Sequence, residues 1–350
     1  MTYDAIVVGA SFAGLAVVNQ LRGRRVLLID RKPVGSGQTS ACGTILRALE
    51  YWGVTEAVLQ THDHIALHTA EDVIEFPSPY PWCTFDYRRL CQTLFARAGA
   101  EFLQASAQET HTGQVVTNHG RFNARCVVDA SGWQARLASS CDPDFARRDA
   151  LNFGIETICP TGRAPAACPT QGLHFWYNPD ILANGIGWAF PRGEAVSIGL
   201  GSYRGPTRLR QPLTQFTQQF DLRSNGMHGA CFPHTLRPPI AGSIFVVGDA
   251  AGMCIALTGE GIRPALFFGE ACGRIVRRVI EGELTPAAGL AAYAAFVEKR
   301  RRFFKAFSAA QLALPRLPTL WIDQLIRLLH HDRVRPWLLD KYWGLTREWN

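Results

Sequence analysis

Ala5-Ile6-Val7-Val8-Gly9-Ala10-Ser11-Phe12-Ala13-Gly14 is the stretch whose reading decides the fold. Ala5 to Val8 is a short apolar run with β-branched residues, which reads as a buried parallel strand. Leu15 to Leu21 has helical spacing, and Val26-Leu27-Leu28-Ile29 is a second buried strand that ends in Asp30. Strand, glycine turn, helix and strand make the βαβ unit of a dinucleotide-binding fold. Gly9 permits the tight turn, and Gly14 lets the helix pack closely on the sheet. The helix N-terminus directs its free N–H groups at a pyrophosphate. Asp30 follows Gly9 by 21 residues, the place of the acid that binds a ribose hydroxyl. Ser11 stands where the fingerprint has its middle glycine, and its small side chain still admits a phosphate. The competing reading is a plain βαβ turn with packing glycines; the flanking elements and the acid favour the nucleotide.

The chain has 350 residues, of which 47% are hydrophobic and 19% charged, so it should bury a substantial core, in two lobes. A first strand almost at Met1 argues against a secretory signal. No run of 18 apolar residues is present, so no membrane span is expected. The ten cysteines form no Cys-x-x-Cys, which signals neither a zinc site nor a dithiol. Buried thiols in a reducing cytoplasm, with no metal, are the expectation. Lysine occurs only at 32, 299, 305 and 341, so the net charge of +7 is carried by arginine. Arginine suits phosphate, whether on a substrate or a membrane surface; no nucleic-acid motif accompanies it.

Further along, Gly35 to Gly43 is a turn-rich loop containing Cys42, and a helix is predicted from Thr44 to about Gln60. Residues 61–84 read as an antiparallel insertion. Asp86 favours the start of a helix that runs to about Ala98. A strand is predicted over 100–107, a hairpin at 115–123, and a buried strand from Ala124 to Asp129 that leads to Gly132. Between about 140 and 240 short aromatic strands suggest a second sheet with a face for an apolar ligand. Ile244 to Asp249 returns to the first lobe, and a long helix begins near Ile262 with Pro264 in its first turn. The last sixty residues are helical, basic and rich in tryptophan (321, 337, 343, 349), as befits a membrane interface or a helical cap.

Three separated segments together resemble the FAD-dependent geranylgeranyl reductase family, within the larger group of aromatic hydroxylases and flavin halogenases. Gly9, Ser11, Phe12, Ala13 and Gly14 with Asp30 and Arg31 resemble its ADP site. Gly248-Asp249-Ala250-Ala251-Gly252 through Gly259, Gly261 and Ile262 resembles its flavin-ribityl segment. Gly187-Trp188-Ala189-Phe190-Pro191 is similar to its substrate-pocket strand, which assigns Trp188, Phe190 and Pro191 to substrate. The stretch around Arg89, the Asp129–Gly132 turn and the Cys42-Gly43 loop also match and complete the cofactor set. Ala256 replaces a proline common in the family, and Ile186 replaces its tyrosine.

The resemblance implies an α/β protein: a Rossmann-like FAD-binding domain, a mostly antiparallel β-sheet substrate domain and a helical C-terminal cap. The expected ranges are 1–60, 85–138 and 240–290 for the first, 61–84 and 139–239 for the second, and 291–350 for the cap. It implies reduction of isoprenoid C=C bonds by hydride from reduced flavin, with Cys42 as the catalytic thiol. NAD(P)H or a ferredoxin-type protein would supply electrons. The expected location is cytoplasmic, with peripheral membrane contact as an added expectation. An FAD monooxygenase is the alternative. A halogenase is disfavoured because no lysine lies between 32 and 299. A non-catalytic FAD-holding subunit is the remaining reading.

Overall fold

A strand covered on both faces must be apolar where it is covered, and Ala5–Val8, the inner part of the strand Thr2–Val8, meets that demand: Ala5, Ile6 and Val7 have no exposed surface. In the computed structural model, which describes residues 2–162, 168–224, 226–331 and 333–349, this strand is the centre of a sheet. It pairs in parallel with Val26–Asp30 on one side and Gly120–Asp129 on the other. Glu101–Gln104 extends the sheet in parallel beyond Val26–Asp30, and Ile244–Val246 does so beyond Gly120–Asp129. The order of strands therefore reverses between Thr2–Val8 and Gly120–Asp129, and ligands of such sheets bind outside the carboxyl ends at that point. The strand predicted over 100–107 is two, Glu101–Gln104 and Ala107–His111; the second joins the predicted hairpin, Gln114–Thr117 with Gly120–Asp129.

This first unit comprises residues up to Gln38, Tyr87–Ala150 and Phe232–Ser308. The helix Phe12–Gln20 is buried from Phe12 to Asn19, so it is a core helix and not an amphipathic one. It packs against Ile262–Ile280 across glycines. A Cβ on Gly269 would stand 2.6 Å from the Ala13 carbonyl oxygen, and one on Gly273 2.7 Å from that of Val17. The Asn19 amide donates to the carbonyls of Leu15 and Leu94, both at 2.8 Å, and so pins the helix Tyr87–Ala98 alongside.

The second unit comprises Thr39–Asp86, Leu151–Cys231 and the chain from Ala309. Its sheet runs in the order His228–Pro233, Leu151–Pro160, Ala195–Ser202, Gly185–Pro191, Leu173–Trp176, Val58–His68, Val73–Phe85, Gly43–Ile45. The sheet is mixed, which corrects the expected mostly antiparallel one: Leu173–Trp176 lies parallel to Val58–His68. A hairpin enforces antiparallel pairing, whereas a strand that enters from a distant segment is free of that constraint. The helix Arg210–Gln218 covers one face, where Leu213 and Phe216 join Trp176, Ile198 and Leu200 in a buried core.

Two further expectations are corrected. The predicted helix 44–60 is a strand, Gly43–Ile45, a short helix, Leu46–Tyr51, a 3-10 turn at Thr55–Ala57 and then Val58–His68. Gly53, at φ 62°, ends the helix, and Gly43–Ile45 pairs with Trp82–Thr84, which draws residues 39–60 into the second unit. The C-terminal helices divide likewise: Pro286–Glu298 is in the first unit, whereas Thr319–Arg327 and Val334–Trp343 are in the second. The Trp349 side chain lies outside the described residues. No described helix is long and apolar enough to cross a membrane.

A Cβ on Gly14 would stand 1.9 Å from the Gly9 carbonyl oxygen. Gly14→Ala should lower stability by about 1–3 kcal/mol in urea titration; an unchanged midpoint would contradict this packing.

Candidate active site

In the first unit the site begins at the turn after Thr2–Val8. Gly9 has φ 111°, and a Cβ there would meet the Ala130 carbonyl oxygen at 2.1 Å, so only glycine lets the two strand ends approach. Asp30 closes the same turn: its Oδ2 accepts from the Ala10 N–H at 2.8 Å and its Oδ1 from the Lys32 N–H at 2.9 Å. An ionised carboxylate has about four lone-pair sites, so acceptors remain for a hydroxyl. Ser11 sits at the N-cap of Phe12–Gln20 without capping it. Its Oγ instead accepts from the Tyr87 hydroxyl at 3.1 Å, and Phe12 packs edge-on against the Tyr87 ring. The helix thus starts with no side-chain cap, its positive end facing the crevice.

A second such end lies beside it. Ile262–Ile280 begins at Gly261, also without a side-chain cap. The turn before it is rigid: Ile255 donates its N–H to the Glu260 carbonyl, and the Arg263 guanidinium, fully buried, grips both Glu260 oxygens at 2.7 and 2.8 Å. A Cβ on Gly261 would stand 3.6 Å from Asp249 Oδ1, so the carboxylate and the helix start adjoin. Burial pushes the Asp249 carboxyl up to about 6, with the nearby Arg237 charge opposing. Gly248 lies against Ala13: a Cβ there would be 2.7 Å from the alanine methyl.

The structure reassigns some predicted residues. Asp129 has no exposed surface, and its carboxylate is occupied by four donors of its own chain: Ser131 N–H and Oγ on Oδ1, Leu137 and Ala138 N–H on Oδ2. It therefore holds the turn after the strand and has no acceptor left for a cofactor. Phe12 and Ala13 are buried packing residues. Gly132, at φ 82°, borders open space; Arg31 and Arg89 are exposed.

In the second unit, the sheet face opposite Arg210–Gln218 carries the predicted aromatic residues. The Trp188 indole lies over glycine, where a Cβ on Gly199 would stand 2.1 Å from the ring. Its Nε1–H donates to Glu156 Oε2 at 3.2 Å, and His228 Nε2 meets Glu156 Oε1 at 2.9 Å. Phe190 packs edge-on against Phe175, and Gly43 leaves room for the Phe190 ring at 3.2 Å. Pro191 offers its carbonyl inward, to His62 Nε2 at 3.1 Å and Thr84 Oγ1 at 2.8 Å. Cys42 is fully buried, its thiol donating to the Ser40 carbonyl, and it holds φ 55°, a conformation rare outside glycine.

No family model matches the chain. It is 25% identical, over 98% of its length and the whole of the relative, to digeranylgeranylglycerophospholipid reductase 1 of Methanopyrus kandleri. The chain resembles the geranylgeranyl reductases. A geranylgeranyl diphosphate reductase of Rhodobacter capsulatus is 23% identical over 89% of the chain and 84% of that protein. Among solved structures, a geranylgeranyl bacteriochlorophyll reductase-like protein from Thermoplasma acidophilum superposes with a TM-score of 0.84 at 17% identity, covering 99% of this chain and 98% of that one. A flavin-dependent brominase superposes with a TM-score of 0.74 at 12% identity, over 97% and 93%. These two likenesses speak for the fold alone.

Sequence reasoning singled out none of Glu156, His228 and Arg237, and read Tyr87 only as part of the Phe85–Leu90 stretch that carries Arg89. Arg237 donates from Nη1 to the Trp133 carbonyl at 2.7 Å, while its Nη2 is buried with no partner among the described residues. Glu156, His228 and Arg237 stand in no recognisable motif, and each takes a partner far along the chain.

Burial lowers His62 to about 4, so the folded state holds it neutral. The unfolded chain binds the proton near pH 6.5, so this contribution is complete above that value and is lost as pH falls towards 4. The melting temperature should drop across that window, and less steeply in His62→Gln; parallel profiles would contradict it.

Proposed function

We propose that the protein is an FAD-dependent oxidoreductase that reduces C=C bonds of an isoprenoid lipid. The observation that carries the reading is likeness along nearly the whole chain to proteins named for geranylgeranyl reduction. Kinship of fold with halogenating flavoenzymes does not compete, since one fold hosts many chemistries.

The first unit, in this reading a Rossmann-like domain, fits FAD. Asp30 takes a ribose hydroxyl, and the uncapped start of Phe12–Gln20 takes phosphate. Arg31, Arg89 and Gly132 border the nucleotide half. Gly248, Asp249, Gly259, Gly261 and Ile262 receive the ribityl and ring half. The unpartnered Arg237 Nη2 supports the fit, because a buried donor without an acceptor is costly unless a ligand supplies one. Reduced flavin, when bound, supplies a hydride to an alkene carbon. The helix end at Ile262 and its dipole favour negative charge beside it. Trp188, Phe175 and Phe190 form an apolar wall that orients the isoprenoid chain and excludes water. Glu156 and His228 fix the indole of that wall. Cys42 is assigned the proton at the second alkene carbon; its strained backbone fits a position held for a purpose.

The electron donor is NAD(P)H or a ferredoxin-type protein, and the cationic cluster of Lys299, Arg302 and Lys305 suits either. Peripheral membrane contact is supported by Leu320 and Trp321, 70% and 64% exposed on a C-terminal helix that ends in arginine.

Chemically reduced enzyme, kept anaerobic with prenyl diphosphates and prenylated lipids, should yield products heavier by pairs of hydrogens in mass spectrometry. An oxygenated product formed only in air with NAD(P)H would overturn the reading. Cys42→Ala should keep its flavin spectrum and lose about 100-fold or more in turnover; full turnover would remove the thiol from the chemistry.

A further inference from the structure

Arg237 is followed by Pro238 and Pro239, which bring no N–H donors and disfavour a helix at the residue before them. In the first unit this segment lies against the turn Gly248–Ala251. The Arg237 N–H donates to the Ala251 carbonyl at 2.9 Å, and a Cβ on Gly252 would stand 2.0 Å from the Thr235 carbonyl oxygen. The Arg237 side chain, 5% exposed, donates from Nη1 to the carbonyls of Trp133 at 2.7 Å and Ala250 at 3.3 Å. It thereby ties the turn after Gly120–Asp129 to the turn that carries Asp249. Carbonyl oxygens satisfy a guanidinium without neutralising it, and among the described residues no carboxylate forms an ion pair with Arg237.

A buried cation without a counter-ion is unfavourable, and two carboxylates lie near enough to feel it, Asp129 and Asp249. Asp129 is spent on four donors of its own chain. Asp249 is half-buried, and among the described residues no hydrogen bond reaches its carboxylate. The groups that face Asp249 come from three directions. Glu260, from the turn before Ile262–Ile280, is already held by Arg263. The thiol of Cys254 is pushed well above its ordinary value by burial. Phe12–Gln20 brings no charged residue. Among the described residues Arg237 is the cation left to act on Asp249, and it opposes the burial that pushes that carboxyl up to about 6. An accessible carboxylate without a donor suits a hydroxyl, and it accepts about twice as strongly when ionised.

We propose that Arg237 is a positioning residue for the ribityl chain of FAD: its charge keeps the Asp249 carboxylate ionised, and its bonds to Trp133 and Ala250 hold the turn that presents it. The proposal rests on the flavin reading above and adds the residue that sets the charge of the ribityl acceptor.

The test is fluorescence titration of flavin-free protein with FAD between pH 5 and pH 9, on wild type, Arg237→Met, Arg237→Gln and Arg237→Lys. The ionised carboxylate is the binding form, so affinity is full above the carboxyl's pKa and falls as pH drops through it. In Arg237→Met and Arg237→Gln the fall should begin about one pH unit higher, so that their loss against wild type is about 10-fold greater at pH 5 than at pH 9. Gln still offers the carbonyls a donor, so the test does not depend on the folding of Arg237→Met. Arg237→Lys keeps the charge, and its loss should be the same at every pH. With Asp249→Asn also present, the Arg237→Met loss should no longer vary with pH. A loss equal at pH 5 and pH 9 in the uncharged variants, or one that still grows towards pH 5 beside Asp249→Asn, overturns the proposal and leaves the flavin reading intact. No binding of FAD by wild type at any pH overturns both.

Discussion

The closeness with which Phe12–Gln20 approaches its neighbours governs the first unit. Gly9 lets the helix start directly against the end of Gly120–Asp129, Gly14 lets its first turn fold back on Gly9, and Gly269 and Gly273 let Ile262–Ile280 lie against its far side. Because these contacts leave no room for a Cβ, the two helix starts are held in fixed relation at the carboxyl ends of the parallel strands. Two positive helix ends with no side-chain caps are a standing demand for negative charge. The carboxylates nearby are Asp30, which is tied into the turn, Glu260, which Arg263 holds, and Asp249, whose burial raises its pKa to about 6. A ligand with phosphates and a ring that becomes anionic on reduction meets that demand.

The second unit solves a different problem. One face of its sheet is closed by Arg210–Gln218 over an aliphatic and aromatic core. The other face combines bulky rings with glycines, so that Trp188 lies flat where a residue larger than Gly199 would push it away. A flat indole needs a polar partner for its N–H, and the buried Glu156 supplies it. The same economy recurs at His62, whose neutral ring ties Val58–His68 to the Pro191 carbonyl.

The turn, helix and parallel strands that open the first unit were legible because their determinants are local. Gly9, Gly14 and Asp30 fall within one βαβ unit, and the residues that surround Asp249 are continuous with the helix start at Ile262. What was not legible depends on partners far along the chain. Asp129 ends its strand as expected of a cofactor ligand, yet Leu137 and Ala138 fold back to take its second oxygen. The helix predicted from Thr44 failed because periodicity could not register that Gly43–Ile45 finds a strand partner at Trp82–Thr84. Glu156 and His228, 72 residues apart, form a pair that no spacing rule contains.

The central claim is that the first unit holds a dinucleotide flavin by both halves. Titration of flavin-free protein with FAD and with FMN, read by flavin fluorescence, tests it most directly. The account predicts that FAD binds at least about 100-fold more tightly than FMN, because Asp30 and the start of Phe12–Gln20 act only on the adenosine and pyrophosphate portion, and that Asp30→Ala narrows the gap. Equal affinity for the two flavins, unmoved by Asp30→Ala, would contradict it.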